Sequence, residues 1–488
     1  MDTIASLCER YRVDLAHADH VARLTVELFD ALQRLHRLPP RARDLAEAGA
    51  MLHNVGLTVD EPSHHLVGRD IIAAAQLTGF THAERLMLAC ITAFHRKTVR
   101  PESEQLFQVL NPVQQQETLA LSALVRIADG LDYSQTQSTH IDTIELDVSE
   151  PTKAIRVRVT GAHSHEDAAR AEKKSDLWRA LFCPVYVSGR LTSPGLALDH
   201  TLAAAGRRIL RYHLDQIEPQ EWLLAADNPI PPRQIDRLYT TVRYMRATVR
   251  AFGEHYRSKR VRPLAKGLSQ LEAYLQRVRE RDVWMAILEK YGQGLEPDSD
   301  LSAGAEALRA AWQAERESAQ ADLIEYTHGI DHGTWFEAIA TFTQSDRDDK
   351  TAPLGKPARL RHAVDLIQAA HLARVKAFDE LPARPAVEDV RRVYLAVERL
   401  RSITDGLRDV LPPAQVERIQ TACTAAQETW GIIYDAYTAA HAALRFLDEH
   451  AADEATLRGV LAFGESQRRV IDARLPAWRT FLEPLLVI

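Results

Sequence analysis

The sequence predicts a mostly α-helical protein in two parts: a helical N-terminal domain carrying a small β-hairpin, then a two-repeat antiparallel helical bundle. Three observations carry this reading. Apolar residues recur at spacings of three and four through most of the 488 residues, the period of helices with one buried face. Apolar and polar residues alternate at Ile141–Val148 and again at Ile155–Val159, split by Ser149-Glu150-Pro151-Thr152, which is a hairpin pattern. The second half also repeats itself at an offset of 155 residues: Arg237 returns as Arg392, Tyr239 as Tyr394, Val242 as Val397, Arg246 as Arg401 and Glu280 as Asp435.

Taken in order, Ala22–Phe29 is a periodic apolar segment, Pro39-Pro40 a break, and Ala46–Val55 an apolar run stopped by Gly56. Leu86–Phe94 and Leu119–Leu131 continue the helical pattern. After the hairpin a short helix is expected over about 165–183. Ser188-Gly189-Arg190-Leu191-Thr192-Ser193-Pro194-Gly195 reads as the linker. Beyond it the breaks fall at Pro231-Pro232, Gly292–Asp300, Ser345–Pro357 and Pro412-Pro413. The expected domains are residues 1–190 and 196–488, the latter built of repeats at about 196–345 and 355–488.

Composition narrows the class. The 46% apolar and 26% charged fractions exclude disordered and fibrous proteins. No run approaches the ~20 apolar residues of a membrane helix, and Met1–Ile4 lacks the apolar region of a secretory signal. Cys8, Cys90, Cys183 and Cys423 lie far apart with no Cys-x-x-Cys pair, so no disulfide framework is expected. A cytoplasmic protein without a membrane partner is the expectation. The net charge of −7 opposes indiscriminate nucleic-acid binding, although an average can hide a local basic face.

The N-terminal part offers His17, His53, His65, His95 and Asp129, each on or beside a predicted helix. Imidazole nitrogens and a carboxylate are ligands for a divalent metal, and three of them with an open position make a hydrolytic site. In a chain with 20 histidines, ordinary core and surface histidines are the competing reading.

The segments Asp14–Val21, Ala50–Gly56, His64-His65, Ala93–Lys97 and Val125–Asp132 follow the order of an HD domain. More closely, they resemble the HD-like C-terminal domain of the exopolyphosphatase and guanosine-pentaphosphatase family, over about 190 residues. The resemblance implies a divalent metal, manganese or magnesium, at His17, His53, residue 54 and Asp129, with His65 and His95 accessory. This chain carries Asn54 where the motif has Asp, a neutral and weaker ligand, so weak metal holding is expected. The actin-like phosphatase domain that normally precedes this module in the family is expected to be absent.

In residues 233–281, 13 Arg and Lys face four acids, a local balance of +9. Leu238, Val242, Met245, Val249, Phe252 and Tyr256 form an apolar seam. One step along lie Tyr239, Arg243, Arg246, Arg250 and Arg257, a stripe without an acid that spans roughly 20 Å between Arg243 and Arg257. A solvated face would usually mix signs, whereas guanidinium forks match phosphate oxygens. Arg243, Arg246, Arg250, Arg277 and Arg279 are expected to converge on one groove, with Arg237, Arg257, Lys266, Arg281 and Arg401 near its rim. No Walker-type phosphate loop is present.

Val242–Phe252 and Leu275–Val283, with second copies at Arg399–Arg401 and Gln427–Asp435, resemble a CHAD domain, the conserved-histidine α-helical domain, over about 200–488. That resemblance implies binding of inorganic polyphosphate by basic residues lining a central channel. The chain departs from the pattern: Asp236 and Arg391 stand at the signature histidine positions, Tyr239 and Tyr394 at an arginine position, and Glu398 where a cation is usual. Three readings therefore stand side by side. One is a polyphosphate-binding protein with a structural or weakly metal-holding first domain. The second is a metal-dependent phosphohydrolase, and the third a nucleic-acid-binding or scaffold protein. Sparse aromatic interleaving on the stripe, with Tyr239 the main candidate, sets nucleic acid behind polyphosphate.

Overall fold

The structure, a computed structural model, describes residues 2–147, 153–217, 224, 229–296, 299–344, 358–450 and 452–488. The expected hairpin turn at 149–152, Val148 and the break at 345–357 lie outside the described residues. The chain forms two compact units, Met1–Thr192 and Ser193–Ile488.

Five helices of the first unit start where a side chain takes up a free N–H group. Thr3 caps α1 (Ile4–Arg10) and Asp14 caps α2 (Leu15–Ala31), accepting from the Ala16 and His17 amides at 3.0 and 3.3 Å. After α3 (Gln33–His36), α4 (Arg41–Leu52) and α5 (His64–Ala74), α6 (His82–Phe94) opens on a Thr81/Glu84 capping box. Then come α7 (Gln105–Gln108) and α8 (Pro112–Gly130), capped by Asn111 with Pro at its first position. From Ala120 to Ala128 every residue of α8 is buried, so this helix is the axis on which α2, α4, α6 and α9 (Ser164–Lys174) pack.

The hairpin expectation meets β1 (His140–Asp147) paired antiparallel with β2 (Ala154–Thr160). A third strand, β3 (Val185–Arg190), pairs parallel to β2 after the short α10 (Asp176–Leu181). Two expectations are corrected. The single helix over 165–183 is broken at Ser175 into α9 and α10. Ser188-Gly189-Arg190 is strand, not linker: Gly189 is there for packing, since a Cβ would sit 2.3 Å from the Ser164 carbonyl oxygen.

In the second unit α11 (Leu202–Asp215) precedes α12 (Pro232–Phe252), α13 (Ser258–Gly292), α14 (Asp300–His328) and α15 (Ile330–Gln344). Then follow α16 (Val364–Lys376), α17 (Val387–Gly406), α18 (Pro413–Glu449), α19 (Glu454–Arg474) and the short α20 (Glu483–Leu486). The 155-residue offset carries the start of α12 onto that of α17 and the start of α13 onto that of α18. Apolar seams follow the same rule. Leu238, Val242 and Met245 are buried, and so are their equivalents Val393, Val397 and Leu400. The α14 and α19 helices cross at Gly304 and Gly459, themselves 155 apart, where a Cβ on Gly304 would lie 2.5 Å from Gly459 Cα. Backbones can meet this closely only without side chains at both positions. Among the described residues no helix is long and apolar enough to cross a membrane, and all four cysteines are buried and unbridged.

Candidate functional site

Helix ends build the first site. His17 lies in the first turn of α2, His53 caps the C-terminus of α4 and Asp129 sits in the last turn of α8. His53 Nδ1 donates to the Ala50 carbonyl at 2.6 Å, and His17 Nδ1 donates to the buried Asp132 carboxylate at 2.7 Å. With both Nδ1 atoms donating, the Nε2 atoms are the ones left for a metal once His17 gives up its second proton, and they face each other at 3.2 Å. Asp129 Oδ1 is 3.6 Å from each. A triangle with these sides has its circumcentre about 2.0 Å from every corner, the length of a metal–nitrogen or metal–oxygen bond. The residues present therefore fit a small divalent metal. Burial opposes the charged form of His17, but Asp129 and Asp132 outweigh it and lift its pKa to about 9. Burial likewise opposes ionisation of Asp129, yet Lys174, His17 and His53 hold it well below the usual carboxylate range.

Asn54 lines the adjoining cavity of about 890 Å³, together with His64, His95 and the cations Arg96, Lys97, Arg170, Lys173 and Lys174. The Lys174 ammonium rests on Asp129 Oδ2, the oxygen turned away from the triangle. His65, expected as accessory, does not line this cavity. Its neighbour His64 does, with Nε2 3.2 Å from His95 Nε2. A helix places residues 64 and 65 about 100° apart, so only one of the pair can face the site. Burial, then Lys97 and Arg96, push His65 down to about 4.

In the second unit, α12, α13, α17 and α18 enclose a cavity of about 440 Å³. Its lining obeys the repeat: Tyr239 and Tyr394, Arg243 and Glu398, and Glu280 and Asp435 are pairs at the 155-residue offset. Of the expected groove residues, Arg243, Arg246, Arg250 and Arg279 line it. Arg277 does not; it is paired with Asp322 at 2.8 Å. Arg237 donates to the Gln216 carbonyl, and Arg281 pairs with Glu315 at 2.9 Å. Arg401 donates to Gln427 at 2.8 Å, while Arg257 and Lys266 are exposed outside the cavity. Sequence reasoning missed Arg391 and Arg399, supplied by the second repeat.

The stripe without acids is also corrected, because other helices bring acids to it. Six arginines line the cavity (Arg243, Arg246, Arg250, Arg279, Arg391, Arg399) against five carboxylates (Glu272, Glu280, Glu398, Glu428, Asp435). Arg243 is ion-paired with Glu398 and 3.7 Å from Glu272, which also pairs with Arg246. Arg250 and Arg399 make no ion pair among the described residues. Burial, then Arg250 and Arg243, depress the guanidinium pKa values of Arg246 and Arg399, as crowding of like charge requires. Rings are covered: Tyr239 lies under Arg243 and Arg279 at 5.3 Å each, Tyr434 under Arg391 at 4.6 Å and Trp284 under Arg281 at 5.0 Å.

Comparison with known proteins agrees with this division. Over 138 residues the chain is 30% identical to a guanosine-5'-triphosphate,3'-diphosphate pyrophosphatase of Aeromonas hydrophila, covering 28% of this chain and 27% of that protein. It is 28% identical, over the same shares, to the protein of that name from Aeromonas salmonicida. The chain thus spans about a quarter of the length of the curated relatives it matches. Among solved structures it is similar to PptA from Streptomyces chartreusis, with 15% identity, TM-score 0.45, and 58% of this chain and 98% of that one covered. The CHAD domain from the plant Ricinus communis gives 19% identity, TM-score 0.46, and 59% and 93% coverage. The family whose exopolyphosphatases the sequence resembled matches through its domain III, which here lies at the N-terminal end of the chain. A Ppx/GppA phosphatase domain III at residues 1–170 and a CHAD domain at residues 208–444 are both found.

Proposed function

We propose that the second unit binds inorganic polyphosphate in the cavity between α12, α13, α17 and α18. The observation that carries this is the cluster of Arg246, Arg250 and Arg399, contributed by both repeats, in which two guanidiniums have no carboxylate partner among the described residues. Crowded guanidinium groups repel one another, and phosphoryl oxygens are the acceptors that fit their forks. A CHAD domain joined to a Ppx/GppA domain supports a polyphosphate-related role. The exposed cations Arg257 and Lys266 lie just beyond the Arg250 end of α12 in sequence and extend the same charge outward. Nucleic acid is disfavoured because two of the rings that could stack on bases, Tyr239 and Tyr434, already carry guanidinium groups on their faces. Titration with long-chain polyphosphate, single-stranded RNA and DNA at matched salt tests the reading. Polyphosphate should bind most tightly, and tighter RNA binding would replace it.

A second reading, a metal-dependent phosphohydrolase in the first unit, is favoured by the His17–His53–Asp129 geometry. Manganese or magnesium would be held by these three residues with Asn54 beside them, and when bound would supply Lewis acidity toward a phosphoryl oxygen. Asp132 fixes the His17 tautomer, Lys174 neutralises Asp129, and Arg96 and Lys97 offer charge to a phosphate in the cavity. With a single ligand carboxylate, already paired with Lys174, metal holding should be weak and turnover slow. Rapid hydrolysis of polyphosphate or nucleotides in manganese would instead make the first unit the working centre.

A further inference from the structure

Arg243 and Arg246 are already occupied. Glu398 of α17 and Glu272 of α13 lie against their guanidinium groups, with glutamate side chains only 11% and 14% exposed. We propose that these two carboxylates are resident counter-ions, so that polyphosphate binds by exchange: it enters at Arg250 and Arg399 and displaces Glu398 and Glu272 from Arg243 and Arg246. The inference rests on the polyphosphate reading of this cavity.

Three features support it. A carboxylate presents two oxygens to a guanidinium fork as a phosphoryl group does, so the glutamates stand in for the ligand at Arg243 and Arg246. The repeat shows where the charge entered: Arg243 and Glu398 are equivalent positions facing each other, whereas the equivalent of Glu272 is the neutral Gln427. Burial raises the Glu398 pKa above the usual carboxylate value, and Arg243, Arg279 and Arg399 oppose that rise, so its charge depends on the guanidinium groups around it. Anions with few charges and few phosphates then cannot displace the glutamates, because the freed carboxylates repel whatever takes their place. A long phosphate polymer, which makes many contacts at once, can, so Glu398 and Glu272 set the selectivity of the cavity by opposing every anion and yielding to the one with the largest total charge.

The test is charge removal at constant shape. Glu398→Gln and Glu272→Gln variants and the parent are titrated with long-chain polyphosphate and with inorganic tripolyphosphate at one pH and salt, with circular dichroism to verify folding. Each variant should bind long-chain polyphosphate about tenfold more tightly, with a proportionally larger gain for tripolyphosphate. If the parent binds and both folded variants bind equally or more weakly, the glutamates are structural and the exchange is overturned. If neither the parent nor the variants bind polyphosphate, the polyphosphate reading itself fails and takes the exchange with it. Should one variant fail to fold, the other decides.

Discussion

Replacing Arg250 and Arg399 together by alanine separates a cavity from a charged surface stripe. Neither guanidinium is ion-paired among the described residues and both line the cavity, so each can give a phosphate charge-assisted hydrogen bonds. Such bonds are worth about 1.5–3 kcal/mol, and 1.4 kcal/mol is tenfold in affinity. Arg250 is exposed and belongs at the lower end of that range; Arg399 is half-buried and belongs higher. The double variant should lose on the order of a hundredfold or more. Losing two phosphate contacts should also flatten the plot of log affinity against log salt by about 1.4, taking the coefficient for single-stranded polymers. Stability should change little, because Glu398 loses the influence of Arg399 but keeps its ion pair with Arg243, and the crowding felt by Arg246 is relieved. Arg277→Ala is the internal control: paired with Asp322 outside the cavity, it should change affinity less than about twofold. Fluorescence anisotropy at three salt concentrations, with a thermal melt, gives all of these quantities. The reasoning is refuted if the double variant keeps the parent's affinity and salt slope, or if Arg277→Ala weakens binding equally.

Three further outcomes are expected. In the first unit, Asn54→Asp should raise manganese affinity at least tenfold by calorimetry and His53→Ala should abolish it; equal affinities in all three proteins would remove the metal from this site. Asp435 is raised from 3.8 to about 6, first by burial, which Asp236 and Glu280 reinforce and Arg279 opposes. A folded-state pKa above the unfolded one means the folded chain holds the proton longer, so this group's contribution to stability falls as pH rises from about 4 to about 6. Asp435→Asn should therefore gain stability over the parent across that window, by at most ~3 kcal/mol at pH 7, and a pH-independent difference would contradict the burial argument. Gly189→Ala in β3 should destabilise the first unit by roughly 1–3 kcal/mol, since its Cβ would meet the Ser164 carbonyl; an unchanged melt would return this segment to the role of linker.

What could be read in the sequence was local or periodic. The seam Leu238–Val242–Met245 is buried because three-and-four spacing fixes one face of a helix whatever lies opposite. The repeat offset survives as matched helix starts because each copy needs the same lengths to pack. The metal-type cluster could be read because its members lie in short motifs whose order resembles that of a known domain. What escaped was the partner across the gap. Glu272 lies 29 residues from Arg243 and Glu398 lies 155 away, so no single-helix pattern contains the ion pairs that neutralise the stripe. Arg391 and Arg399 were passed over because the second repeat looked less basic in sequence, although the fold delivers both to the same cavity. The choice of His64 over His65 depended on helix phase, which adjacent histidines leave open.

Both sites obey one electrostatic constraint. A charged group placed where a ligand is to be held must also be tolerable without that ligand, so the fold supplies a counter-charge from a neighbouring helix. Lys174 does this for Asp129, and Glu398 does it for Arg243. Geometry makes the consequences differ. Lys174 takes Oδ2 and leaves Oδ1 in the triangle with His17 and His53, so its charge subtracts from metal affinity without blocking the position. Glu398 instead lies on the guanidinium that would grip a phosphate, so it has to be displaced. The first site is thus weakened in place, and Asn54, which withholds the negative charge an Asp would add, deepens that weakness. The second is thresholded: its affinity is the difference between phosphate and carboxylate at the same arginines. A charge count along either segment therefore overestimates what the site will hold, and the exchange proposed above has binding begin at Arg250 and Arg399, the arginines without an ion pair among the described residues.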